Sequence, residues 1–199
     1  MAIYKSTKAV IESTLSPAKE RMFLKYPTSE TKDITDYARS NEAETYPDKD
    51  RLASIKRSDV QFTHIHTHPD DCRPSAEDLK VFMLSNDIRT MVVAVRNPKS
   101  GQVEKYNFIK KTNTTPRFGR SFDTVGFSWS AFNLLSNPPL IFGNKMERQL
   151  SMDLREYWNL TSRFDFIPFI DPLGDFLRRY SLLEKRVILR SPTLLEMIV

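Results

Sequence analysis

The sequence predicts an α/β (α+β) protein built on a mixed β-sheet flanked by helices. Two strand-like runs, Val60 to His66 and Ile88 to Val95, are rich in β-branched residues and bracket a helical stretch, Ser75 to Ser85. The second run is followed by a turn, Asn97-Pro-Lys-Ser-Gly101, and by Val103 to Ile109, so an antiparallel hairpin joins the strand–helix–strand unit. Hydrophobic residues at 40% and charged residues at 28% of 199 positions describe an ordinary globular chain, long enough to bury a core.

Taken in order, Ser6 to Leu15 reads as a short helix that stops before Ser16-Pro17, because proline disfavours helix in the residue before it. Glu20 to Tyr26 reads as a strand closed by Pro27, and Asp33 to Arg39 as a second strand. Asp48 to Lys56 reads as a polar surface helix. Beyond about Lys111 the character changes. TNTTPRFGRS reads as a linker, and the final 87 residues hold nine of the thirteen Phe and both Trp. Within them SMDLREYWNLTSRF and GDFLRRYSLLEKRVILR read as helices. The expected organisation is a domain over residues 1–111 and a helical, aromatic-rich extension over 112–199, which can set substrate choice, self-associate or dock on a protein partner.

The net charge of +5 is spread evenly: 19 Lys/Arg against 16 Asp/Glu in residues 1–112, and 11 against 9 in 113–199. No basic block or Arg-rich helix stands out, which argues against a nucleic-acid partner. No apolar run approaches the roughly 18 to 20 residues of a membrane span, and the charged N-terminus does not read as a signal peptide. A single cysteine, Cys72, rules out an internal disulfide framework and suits a reducing compartment. The expected location is cytoplasmic.

All three histidines lie in one stretch, QFTHIHTHPDDCRPSAEDLKVF, as His64, His66 and His68. On a strand, residues two apart share a face, so His66 and His68 turn neighbouring imidazoles toward one point. Neutral imidazole suits zinc, and catalytic zinc sites take three protein ligands while a fourth position stays open. Asp78, ten residues past His68 on the first turn of the next helix, is a candidate third ligand. Ser75 and Asp78 also fit an ordinary helix start, with Ser75 as N-cap and Asp78 at the positive end of the helix dipole.

His66-Thr-His68-Pro69 followed by Pro74-Ser75-Ala-Glu-Asp78 resembles the H-[ST]-H-P…P-S-x-x-D signature of the JAMM (MPN+/JAB) zinc metalloproteases. The resemblance covers residues 1–111 and implies an MPN/JAB-like fold, with zinc held by His66, His68 and Asp78. It implies that Ser75 stabilises the tetrahedral intermediate and that an upstream glutamate hydrogen-bonds the metal's water. Glu20 is the choice for that glutamate, since it heads a strand that follows a helix. The chain departs from the family twice. The segment between His68 and Asp78 is one residue shorter than usual, and Phe23 stands where the family's E-x-x-G-x-L pattern has glycine. His64 is extra to the ligand set and can face the same side as His66, and Cys72 lies in the loop between ligands.

Rival readings of the run are weaker. A histidine-triad hydrolase needs apolar residues where Thr67, Pro69 and Asp70 stand. Barrel hydrolases that begin with His-x-His need later histidines, and none follows position 68. The resemblance therefore implies a zinc-dependent isopeptidase or peptidase acting on ubiquitin or ubiquitin-like conjugates. The alternative is an inactive MPN-type scaffold that assembles proteins.

Overall fold

A computed structural model describes residues 3–4, 20–28, 30–36, 38, 40, 47–53, 61–68, 73–96, 103–118, 145–161 and 171–189. The expected helix at Ser6 to Leu15, the 97–101 turn and Cys72 fall outside them. Among the described residues there are seven strands, β1 (Ile3–Tyr4), β2 (Met22–Lys25), β3 (Thr31–Asp33), β4 (Phe62–His68), β5 (Ile88–Arg96), β6 (Val103–Lys110) and β7 (Leu182–Leu189). There are four helices, α1 (Lys49–Ala53), α2 (Ala76–Leu84), α3 (Lys145–Thr161) and α4 (Pro172–Arg179). No helix of the described residues is long and apolar enough to cross a membrane. The protein is a mixed α/β fold, and its chain interleaves two compact units: residues 1–72, 87–109 and 184–199 in one, 73–86 and 110–183 in the other.

The first unit is built on the sheet, ordered β1-β3-β2-β4-β5-β6-β7. β4 and β5 run parallel, and β2 with β4, β2 with β3, and β5 with β6 run antiparallel. The sheet is therefore mixed, as expected. The central strands are buried on both faces: Ile65, Met91 and Val93 are 0% exposed, and Val92 and Ala94 nearly so. Such near-continuous apolar runs are what a parallel pair covered on both sides requires.

One strand expectation and one helix expectation need correction. The strand expected at Asp33 to Arg39 lies earlier, at Thr31–Asp33. Asp33 ends it, because its Oδ1 accepts the Thr35 N–H at 2.9 Å and closes a local side-chain turn. The stretch GDFLRRYSLLEKRVILR is not one helix. α4 stops at Arg179, Ser181 adopts φ 54°, and Leu182–Leu189 continues as an edge strand. Leu, Lys, Glu and Arg favour helix locally, and tertiary pairing overrides that preference. Asn107 Nδ2 donates to the Lys185 carbonyl at 3.1 Å, and the Arg186 guanidinium bonds Glu104 at 2.8 Å while lying over the Tyr106 ring. The charged run Glu184-Lys185-Arg186 leaves an exposed edge that resists pairing with another chain. The C-terminal segment is thus part sheet, not wholly helical.

The second unit joins α2, α3 and α4. α2 is buried on almost every side, from Ala76 to Leu84 with only Glu77 partly exposed, and it buries the charged Asp78 and Lys80 with its apolar residues. α3 is amphipathic: Leu150, Asp153, Leu154 and Tyr157 form its buried stripe at helical spacing. α4 starts where Asp171 Oδ1 accepts the Gly174 N–H at 2.9 Å, with Pro172 in the first turn.

On the sheet, Lys105 pairs opposite Ala94, and that row continues to Thr67 on β4. Burial first, and the charge of Lys25 second, holds its ammonium down at about 8 from the usual 10.5. Between those values the unfolded chain binds more protons than the folded one, so stability rises with pH across the window. The thermal midpoint of the wild type should therefore climb between about pH 7 and about pH 10 relative to Lys105→Met. Parallel profiles for the two proteins would show that Lys105 titrates normally.

Candidate metal centre

The site starts from the pleat of β4. His64, His66 and His68 alternate with Thr63, Ile65 and Thr67, so all three imidazoles project from one face. The rings form a ladder: His64 and His66 are stacked at 5.9 Å between centroids, and His66 and His68 meet edge to face at 4.8 Å. Met91, Val93 and Val95 of β5 pair with the three histidines and extend the same face as an apolar wall. His64 is 1% exposed and His66 5%, whereas His68 is only partly buried.

Glu20 reaches this ladder through strand register. Met22 pairs with His66 across the antiparallel β2–β4 ladder. The pairing runs on to the next residues, where Arg21 N–H donates to Thr67 Oγ1 at 2.9 Å and Thr67 N–H to the Arg21 carbonyl at 3.0 Å. Glu20, two residues before Met22, therefore lies on the histidine face, diagonal to His66. Its Oε2 sits 3.1 Å from His66 Nε2 across 46 residues of sequence. Thr35 secures the same strand start, accepting the Met22 N–H on its Oγ1 at 2.9 Å.

The outcome is a group of three, Glu20, His66 and His68, whose ligand atoms all lie within 4.8 Å of one another. Two imidazoles and a carboxylate can hold a divalent metal ion. The set suits zinc, and equally the iron and manganese that use two histidines and a carboxylate. The residues fit such an ion by position as well as by chemistry, since Glu20 and His66 are buried and mutually directed. His64 shares their face but stands outside this group.

Ser75 and Asp78 are described within the second unit, where they meet each other. Ser75 is the N-cap of α2, and its Oγ accepts the Asp78 N–H at 3.1 Å. Asp78 Oδ2 accepts from both the Ser75 N–H and the Ser75 hydroxyl, each at 2.8 Å. This is a capping box with aspartate in the reciprocal position, and Asp78 is only 6% exposed. The structure thus brings together Glu20 with His66 and His68, and Ser75 with Asp78.

Two supporting residues escaped the sequence reading. Thr67 was legible only as the middle of His-Thr-His, yet its hydroxyl and amide hold Arg21 and so place Glu20. Tyr157, one of many aromatics in the C-terminal half, donates its hydroxyl to the Pro74 carbonyl at 2.7 Å. No local pattern marks either role, because both depend on pairing across long separations.

Comparison with known proteins adds no identity: no protein-family model, no curated protein and no solved structure matches this chain.

Proposed function

We propose that the protein is a zinc-dependent peptidase or isopeptidase of JAMM-like chemistry, acting on the amide bond of ubiquitin or ubiquitin-like conjugates. The observation that carries the reading is the convergence of Glu20, His66 and His68, drawn from segments 46 residues apart onto one sheet face. The motif His66-Thr-His68-Pro69…Pro74-Ser75-x-x-Asp78 supplies the reaction class. In this reading His66, His68 and Asp78 hold the ion. Zinc, when bound, supplies Lewis acidity that brings a water's pKa toward neutrality and polarises a carbonyl. Glu20 accepts a proton at its carboxylate and returns it to the leaving amine, a lysine ε-amine if the bond is an isopeptide. To donate to the oxyanion, the Ser75 hydroxyl turns its one proton away from Asp78 Oδ2, which it bonds at 2.8 Å; such a donor is worth about 10²–10³ in kcat in comparable sites. Buried Val93 and Val95 beside the histidines limit water and strengthen electrostatic interactions on that face.

A second reading, a metal-free scaffold for protein assembly, is favoured by one observation. Asp78 Oδ2 carries two hydrogen bonds of a helix cap, an ordinary structural use for an acidic residue at that position.

Glu20→Gln separates the readings. It retains a side-chain oxygen of the same shape and loses the basic carboxylate. For a general base, bound zinc stays at about one per chain and turnover of a ubiquitin-like conjugate falls by about 10²–10⁴. If Glu20 is instead the third ligand, zinc content falls in Glu20→Gln and stays in Asp78→Asn. A wild type free of zinc, iron and manganese after loading and gel filtration would leave the scaffold.

A further inference from the structure

We propose that Tyr157 is a positioning residue for the Ser75–Asp78 turn, acting through a single peptide plane. The inference rests on the reading of Asp78 as a ligand and Ser75 as an oxyanion donor. The Pro74–Ser75 peptide has its two polar groups engaged in opposite directions. Its carbonyl accepts the Tyr157 hydroxyl at 2.7 Å, and its N–H donates to Asp78 Oδ2 at 2.8 Å. The peptide unit is planar and stiff, so fixing the carbonyl fixes the direction of the N–H on its far side. Hydrogen bonding at the carbonyl also polarises the N–H and strengthens its bond to the carboxylate. Tyr157 therefore reaches the Asp78 carboxylate with one rigid group in between.

Tyr157 is itself well held. It is 3% exposed on the buried stripe of α3, and its ring lies 6.1 Å from Phe176. Phe176 packs on Tyr180 at 4.7 Å, and the Tyr180 hydroxyl donates to Asp153 Oδ2 at 2.6 Å, one helical turn before Tyr157. Burial and the ring contacts through Phe176, which Tyr180→Phe leaves in place, restrict the Tyr157 rotamer, which is what a positioning group needs. The bond to Pro74 also gives α3 a role: through Tyr157 it supports the turn that carries Ser75 and Asp78.

A buried carbonyl that merely needs a donor would explain the bond without any consequence for the site. Tyr157→Phe and Tyr180→Phe, both in the full chain, separate the two. Each removes one buried hydroxyl from the same aromatic cluster, and only the first touches the Pro74–Ser75 peptide. Zinc affinity is measured by competition with a chromogenic chelator, and ligand geometry by the visible absorption of Co2+-loaded protein. Hydrogen exchange of the Ser75 amide is followed in metal-free protein.

In Tyr157→Phe, zinc affinity should fall by about 10-fold, the scale at which groups behind a ligand act. The Co2+ spectrum should change and the Ser75 amide should exchange faster. Tyr180→Phe should leave all three within about twofold of wild type. Zinc affinity and spectrum unchanged in Tyr157→Phe, in a wild type that binds zinc, would overturn the proposal. A wild type that binds neither zinc nor Co2+ would overturn the metal reading itself. Faster Ser75 exchange confined to Tyr157→Phe would then still uphold the clamp on the turn, and unchanged exchange would overturn it too.

Discussion

Replacing His66 with alanine should abolish metal binding, taking bound zinc from about one per chain to near none. His66 and His68 are ligands whether Glu20 or Asp78 supplies the carboxylate, so affinity should collapse when either imidazole is removed. The stability readout is independent of any substrate. At free zinc about 100-fold above the dissociation constant, a single site stabilises the native state by about 2.7 kcal/mol. For a chain of this size that is a rise of roughly 5–10 °C in melting temperature. His66→Ala should show no such rise. Because His66 is 5% exposed, its truncation also leaves a cavity, so His68→Ala, at a more open position, is the companion variant. A zinc-induced rise of wild-type size in both variants would place the metal away from the histidine ladder.

The second large effect is expected away from the site. Asp153 is 5% exposed on α3, and its carboxylate takes three partners. Oδ1 accepts from Arg179 Nη1 and from Gln149 Nε2 at 2.9 Å, and Oδ2 accepts the Tyr180 hydroxyl at 2.6 Å. Removing one partner of a buried ion pair typically costs about 3–5 kcal/mol. Arg179 is half-exposed and can be rehydrated, which pulls the expected cost of Asp153→Ala down to about 3 kcal/mol. Urea unfolding should register that loss, and the melting temperature should fall by roughly 6–12 °C. A change below about 0.5 kcal/mol would mean that solvent replaces the whole network.

The same network has a pH signature. Burial first, and then the bond to and charge of Asp153, push the Tyr180 phenol above its usual 10. The folded protein therefore holds that proton more tightly than the unfolded chain. Its contribution is fully present below about pH 10 and is lost as pH rises beyond it. Tyr180→Phe should flatten this alkaline limb.

Much of the architecture could be read locally. The strand–helix–strand unit through β4, α2 and β5 and the hairpin of β5 with β6 were legible because apolar periodicity and turn residues agree there. β7 was not. Leu-Leu-Glu-Lys-Arg is a good helix sequence, and it became a strand because the edge beside β6 offered pairing and Ser181 broke the helix at positive φ. The short β3 was misplaced for a similar reason, since a single Asp33–Thr35 side-chain bond decided where it stopped.

For the site, alternation at period two is a local property, and it alone requires His64, His66 and His68 to share a face of any strand they form. Helix capping is local too, so Ser75 and Asp78 were bound to find each other. Which carboxylate meets the imidazoles was decided only by tertiary structure. A one-residue slip of β2 on β4 would turn Glu20 to the opposite face; that register is held by Thr67 on Arg21, while Thr35 on Met22 ties the start of β2 to the segment after β3. Those bonds join residues 46 and 13 positions apart, beyond the reach of any local pattern.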